Sequence, residues 1–148
     1  MYNMKERKRK SRMVYLYGVV MTALASTFWG CSADREYALE ATGAVPAAKG
    51  EVVVSQDNLG DTTLNIEAHD FADPKLESGK TYFIAWVKSG ETTVKLGALN
   101  ITDAGGELIA TTTFKRFRIL ITSEASSEVS HPVNVPILTS KPITVVTE

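Results

Sequence analysis

One cysteine, Cys31, in 148 residues leaves no intramolecular disulfide to form, so any exported domain in this chain must be stable by core packing alone. The two histidines, His69 and His131, show neither H-x-H nor H-x-x-x-H spacing, and metal chemistry needs clustered ligands. A blue-copper site would want two histidines and a cysteine side by side, whereas Cys31 precedes every strand-like run. No glycine-rich loop follows a strand and opens a helix, and no nucleophile-elbow motif places the serines and histidines that are present. The expectation is therefore a protein that is not an enzyme, with no cofactor and no metal site. A helical period of useful length is also missing.

Basic residues are scarce beyond the first twelve positions. The chain has 16 Lys and Arg against 17 Asp and Glu, but six of the basic residues and one Glu fall within Met1 to Arg12, leaving 10 against 16, a net charge of −6. That excludes nucleic acid as a partner, since its binding depends on neutralising phosphates with basic side chains. It also leaves no basic patch large enough to hold anionic lipid.

What is present begins with a leader. Lys5, Arg7, Lys8, Arg9, Lys10 and Arg12 precede the mostly apolar, uncharged stretch Met13 to Trp29, the order of a secretory signal whose basic end stays cytoplasmic while the apolar part enters the bilayer. Phe28-Trp29-Gly30-Cys31 resembles the bacterial lipobox. The likeness rests on Gly30 and Cys31; Phe28 and Trp29 stand where that pattern has an aliphatic and a small residue. It implies cleavage between Gly30 and Cys31 and lipid on the Cys31 thiol. Two alternatives remain open from the residues: cleavage after Ala25, because Ala23-Leu24-Ala25 is an A-x-A site, or an uncleaved anchor, for which the 17 residues from Met13 to Trp29 lie at the short limit of a spanning helix.

Residues 1–30 are thus read as signal peptide, residues 31–50 as lipidated cysteine and flexible tether, and residues 51–148 as one domain. The tether reading rests on its early charges and on Gly43, Pro46 and Gly50, with a helical turn allowed over Asp34 to Glu40. Past Gly50, Val, Ile, Thr and aromatic residues recur in short runs between Gly, Asp, Asn and Pro. Glu51 to Gln56 turns through Asp57-Asn58-Leu59-Gly60 into Thr62 to His69, where Leu64, Ile66 and Ala68 alternate with Asn65, Glu67 and His69, the period of a strand with one wet face. Phe71 to Lys80 reads as a connection. Thr81 to Val87 is apolar on both alternating faces, as a central strand is, with Trp86 as a core plug and not a ligand platform. Further strands are expected over Thr93 to Thr102, Glu107 to Phe114 and from Arg116, with Phe117, Ile119 and Ile121 on one face. Lys115-Arg116-Phe117-Arg118 is then the wet end of an ordinary strand. Ser123 to Pro136 reads as a long loop, and Ile137 to Thr147 as an edge strand because of Pro142.

About seven short antiparallel strands with turn residues between them predict an all-β fold, a single immunoglobulin-like β-sandwich following a cleaved lipoprotein signal, with a small barrel as the alternative. The order of a Val-rich strand, a Leu-and-Ile strand, Gly79-Lys80-Thr81-Tyr82 running into Trp86, and Leu96-Gly97-Ala98-Leu99 with a glycine-rich turn behind it resembles the extracytoplasmic domain of anti-sigma-K factors and related small bacterial lipoproteins, over about residues 50–125. The resemblance implies a sandwich and an exported setting. It does not imply sigma-factor control, since those sensors carry a cytoplasmic helical domain that twelve basic-rich residues cannot form. The expected protein is a membrane-anchored lipoprotein of the cell envelope, facing the periplasm or exterior. It would be held by lipid on Cys31 and bind an envelope protein or polymer. The competing expectation is an exported small-ligand or metal-binding protein using Asp57, Asp61 and the Ser123 to Pro136 loop, although Asp57, Asn58 and Asp61 also suit plain turn chemistry.

Overall fold

The computed structural model describes residues 34–56, 60–70 and 81–146. Among them the chain forms ten strands: β1 (Arg35–Ala41), β2 (Lys49–Gln56), β3 (Thr62–His69), β4 (Tyr82–Ser89), β5 (Thr92–Ala98), β6 (Asn100–Thr102), β7 (Gly105–Thr112), β8 (Arg116–Glu124), β9 (Pro136–Ser140) and β10 (Ile143–Thr144). They pair antiparallel in the order β5-β4-β8-β9-β1-β2-β3-β7-β6, with β10 also on β8. Leu99 alone separates β5 from β6, and its N–H donates to the Phe83 carbonyl at 2.8 Å. The two ends of the sheet order are therefore halves of one bent segment, and the sheet turns back on itself until it nearly closes.

The fold is all-β and antiparallel, as expected, but ten strands replace about seven for three physical reasons. The segment from Thr92 to Thr102 divides at Leu99 into β5 and β6, where the chain passes from β4 to β7 as partner. The last strand divides at Lys141-Pro142 into β9 and β10, because proline cannot donate to a ladder. The third addition corrects the tether reading of residues 31–50. Arg35–Ala41 is a strand, paired with both β2 and β9, and Lys49 and Gly50 open β2. Leu39 is 3% exposed and Tyr37 packs on the core, so two apolar side chains at period 2 decide the matter against the charges around them. Gly50 is not a breaker here: a Cβ on it would meet the Glu67 carbonyl oxygen at 2.7 Å and Leu39 Cδ1 at 3.1 Å. Glycine lets three strands pack closely at that point.

The last strand also differs from expectation. β9 is interior, between β8 and β1. Its ladder uses Pro136 to Ser140, while Pro142 lies in the gap before β10 and removes no hydrogen bond from either strand. The Phe71 to Lys80 connection and the turn residues Asp57, Asn58 and Leu59 lie outside the described residues.

The core fills the inside of the wrapped sheet. Val52, Val54, Leu64, Ile66, Ala68, Phe83, Ala85, Val87, Phe117, Ile119, Ile121 and Leu138 are all buried in it. On β3 the expected alternation is complete, with Thr62, Leu64, Ile66 and Ala68 buried and the residues between them wetter. β4 lies between β5 and β8, and Phe83 through Val87 are all buried. Phe83, Ala85 and Val87 face the core, so Ile84 and Trp86 are buried on the outward face of the same strand. That outward face has its own covering, which shapes the site.

Candidate functional site

Alternation along β8 puts Arg116, Arg118, Leu120, Thr122 and Glu124 outward, and pairing with β4 sets Lys88 opposite Arg118, Trp86 opposite Leu120 and Ile84 opposite Thr122. The half of this face around Trp86 is sealed. Trp86 is 0% exposed and its Nε1–H donates to Thr122 Oγ1 at 2.9 Å, so it offers no ring face to a ligand. The 125–135 loop is bound to this half. Glu124, 1% exposed, accepts from the N–H groups of Val133 and Asn134 at 3.1 and 3.4 Å and from Asn134 Nδ2 at 3.2 Å. Lys95 of β5 donates to the Ser127 carbonyl.

The other half of the face is open. Lys88, Ser89, Gly90, Arg116, Phe117, Arg118, Leu120, Pro136 and Pro142 line a groove of about 630 Å³. Ser89 Oγ donates to the Arg116 carbonyl at 2.7 Å, tying the end of β4 to the start of β8, and Gly90 turns the chain with φ of 58°. Three cations line this groove, and among the described residues its lining holds no carboxylate. Among the described residues, no ion pair or hydrogen bond engages the side chain of Lys88, Arg116 or Arg118. The wet-strand reading of Lys115 to Arg118 holds in its alternation, for Arg116 and Arg118 are exposed and Phe117 is buried. What sequence alone missed is the third cation, and with it a basic patch assembled from two strands.

On the opposite half of the sheet, Glu51 pairs directly with Glu67, and Glu67 with Glu107, with Glu36 of β1 next to Glu51. Like charges opposite one another weaken a sheet. The Glu51 carboxyl is held above its ordinary value, first by a hydrogen bond to Glu36 and by that residue's charge, then by desolvation and by Glu67, while His69 pulls it down. A carboxyl that holds its proton more tightly folded than unfolded takes stability away as pH rises from the ordinary value through the raised one. Glu51→Gln is expected to raise the melting temperature at pH 7, with the gain shrinking as the pH falls through that window. A gain that is equal at pH 4 and pH 7, or absent at both, would refute the repulsion.

Among the described residues the other sequence candidates form no cluster that could hold a metal. Gly30, Cys31, Asp57 and Asn58 lie outside the described residues. Asp61 is exposed before β3. His69 Nδ1 donates to the Ala104 carbonyl at 2.8 Å, and His131 Nδ1 meets Ser130 Oγ at 3.2 Å. Among the described residues no group of three His, Cys, Asp or Glu side chains can hold a metal, and no helix is long and apolar enough to cross a membrane. Neither a protein-family model, nor a curated protein, nor a solved structure matches this chain.

Proposed function

We propose that this chain is a lipid-anchored protein of the bacterial cell envelope, non-catalytic, whose β domain binds another envelope component. The observation that carries the reading is Gly30-Cys31 at the end of a basic and then apolar leader, with the first strand opening only four residues later at Arg35. A thiol so placed stands at the junction of leader and fold. Lipid there supplies a stable attachment, since each buried methylene contributes ~0.8 kcal/mol and two or more chains anchor stably. Binding through loops is the usual device of such a scaffold, and the 125–135 loop presents Val133 and Val135 at 65% and 72% exposure.

The test is the intact mass of the protein extracted from membranes of an expressing bacterium, beside Cys31→Ser. A mature start at Cys31 with added acyl mass is expected, and in the variant both that start and the acyl mass should be lost. A start at Ser26, or an uncut leader, would overturn the anchor.

The groove favours a second reading, a small-ligand protein, because about 630 Å³ falls in the usual range of ligand pockets, roughly 300–1,000 Å³. Melts with small organic acids test it, since a ligand that binds only the folded state raises the melting temperature as it fills its site. No shift with any of them would remove it.

A further inference from the structure

The three cations of the groove are arranged against their own electrostatic interest. Lys88 and Arg118 are directly opposed across β4 and β8, an arrangement that destabilises a sheet unless something negative offsets it. Arg116 lies two residues from Arg118 on the same strand face, ~7 Å away. An arginine guanidinium presents a fork that matches the oxygens of phosphate, and lysine adds a compact charge beside it. Leu120, Pro136 and Pro142 give the same groove an apolar side, so its chemistry suits a phosphate carried on a larger, partly apolar molecule.

Chain geometry names the source. Arg35 pairs with Val54, two residues before Gln56 of β2; Gln56 pairs with Thr62, Thr62 with Thr112, and β8 opens four residues later at Arg116. The start of β1 and the groove therefore lie at the same end of the sheet. Only Ser32, Ala33 and Asp34 separate Cys31 from β1, and a fully extended chain gains at most ~3.6 Å per residue. A lipid on Cys31 would keep this end within ~15 Å of the headgroups, little more than the ~8–10 Å over which salt screens charges.

We propose that Lys88, Arg116 and Arg118 bind the phosphates of anionic phospholipid headgroups in the membrane that holds Cys31, seating the domain with this end toward the bilayer. The proposal rests on the lipid-anchor reading above. It makes the groove a second, electrostatic contact that fixes orientation, while the 125–135 loop, which leaves β8 at its far end, faces outward to partners.

Trp86 reports on the contact. Once the leader is removed it is the only tryptophan in the chain, and it faces outward opposite Leu120 at the edge of the groove. The acylated protein is reconstituted in vesicles of phosphatidylcholine, with or without phosphatidylglycerol, both carrying a trace of lipid with a nitroxide on its headgroup. Quenching of Trp86 emission is expected in the phosphatidylglycerol vesicles and not in phosphatidylcholine alone. It should vanish in the triple variant Lys88→Gln, Arg116→Gln, Arg118→Gln and persist in Lys49→Gln, which removes a cation from the opposite end. Each Lys or Arg near an anionic surface contributes about fivefold to partitioning, so the triple variant should lose on the order of 100-fold in headgroup affinity. All three side chains are exposed, and an unchanged melting temperature checks that the variant folds.

Equal quenching in both vesicle types, quenching in neither, or quenching that survives the triple variant would overturn the proposal. So would a rise in melting temperature with inorganic phosphate in detergent, lost in the triple variant and unaccompanied by quenching in vesicles, for the groove would then take a free phosphate. The intact mass reads the anchor separately: a missing acyl group defeats the anchor, whereas missing quenching on acylated protein defeats only the headgroup contact.

Discussion

Trp86→Ala is expected to lower the free energy of unfolding by about 3–5 kcal/mol, which for a domain of this size is a fall in melting temperature on the order of 15 °C or more. The side chain is among the largest fully buried ones and sits on the outward face of β4, where Ile84 and Thr122 are also 0% exposed. Removing it leaves a void that backbone pairing on both sides of β4 prevents from collapsing, and leaves the Thr122 hydroxyl without its donor. Trp86→Phe separates the two losses, since it keeps most of the volume and deletes only the Nε1–H bond at 2.9 Å. An orphaned buried hydroxyl costs about 1–3 kcal/mol, so Trp86→Phe should be the milder change. Trp86→Phe with Thr122→Val should cost less than the sum of the two single variants, because the second substitution removes the stranded group. Chemical denaturation of the parent and the four variants checks this. Strict additivity would mean that the hydrogen bond contributes nothing, and an alanine variant within 1 kcal/mol of the parent would mean that the outward layer is not packed as described.

The parts of this fold that could be read from the chain are those where burial imposes its period on several consecutive residues. Leu64, Ile66 and Ala68 alternate cleanly because β3 is wet on one face. Thr81 to Val87 does not alternate because both faces of β4 are covered. β1 escaped because its evidence is only Tyr37 and Leu39, set among Arg35, Glu36 and Glu40; a glycine nearby suggested flexibility when its real use is close strand packing. β9 lies inside the sheet, against the edge expected for a proline-bearing run, because Pro142 divides that run instead of sitting in its ladder. The groove could not be read at all. Lys88 and Arg118 are thirty positions apart, and only the hydrogen-bonded register of β4 against β8 puts them face to face. Glu124 is invisible for a related reason: a glutamate in a serine-rich stretch looks solvated, and nothing local shows that two backbone N–H groups nine and ten residues on will return to it.

That carboxylate governs the 125–135 loop, and its removal should be the second large effect. Glu124→Ala deletes three hydrogen bonds to a buried charge, each of a kind worth about 1.5–3 kcal/mol and not additive when shared by one group. A loss of about 3–4 kcal/mol is expected. Glu124→Gln should fall between the parent and the alanine variant. Its amide oxygen can still accept from the Val133 and Asn134 backbone, but its amide nitrogen then faces the Asn134 side-chain nitrogen, donor against donor. Asn134 Nδ2 keeps its bond to the Ser123 carbonyl at 2.6 Å, which sets the remaining hold on the loop. Hydrogen exchange is the better probe, because melting reads the whole domain while the damage is local. The Val133 and Asn134 amides should exchange far faster in Glu124→Ala, with the β3 amides slowed or quickened only as the overall stability changes. If loop and strand amides accelerate together by the same factor, the carboxylate supports the fold as a whole and not the loop. If the loop alone loosens, Val133 and Val135 lose their fixed setting while the groove at the other end of β8 stays intact. On the proposed function, partner capture by the loop and headgroup contact by the groove should then fail in different variants.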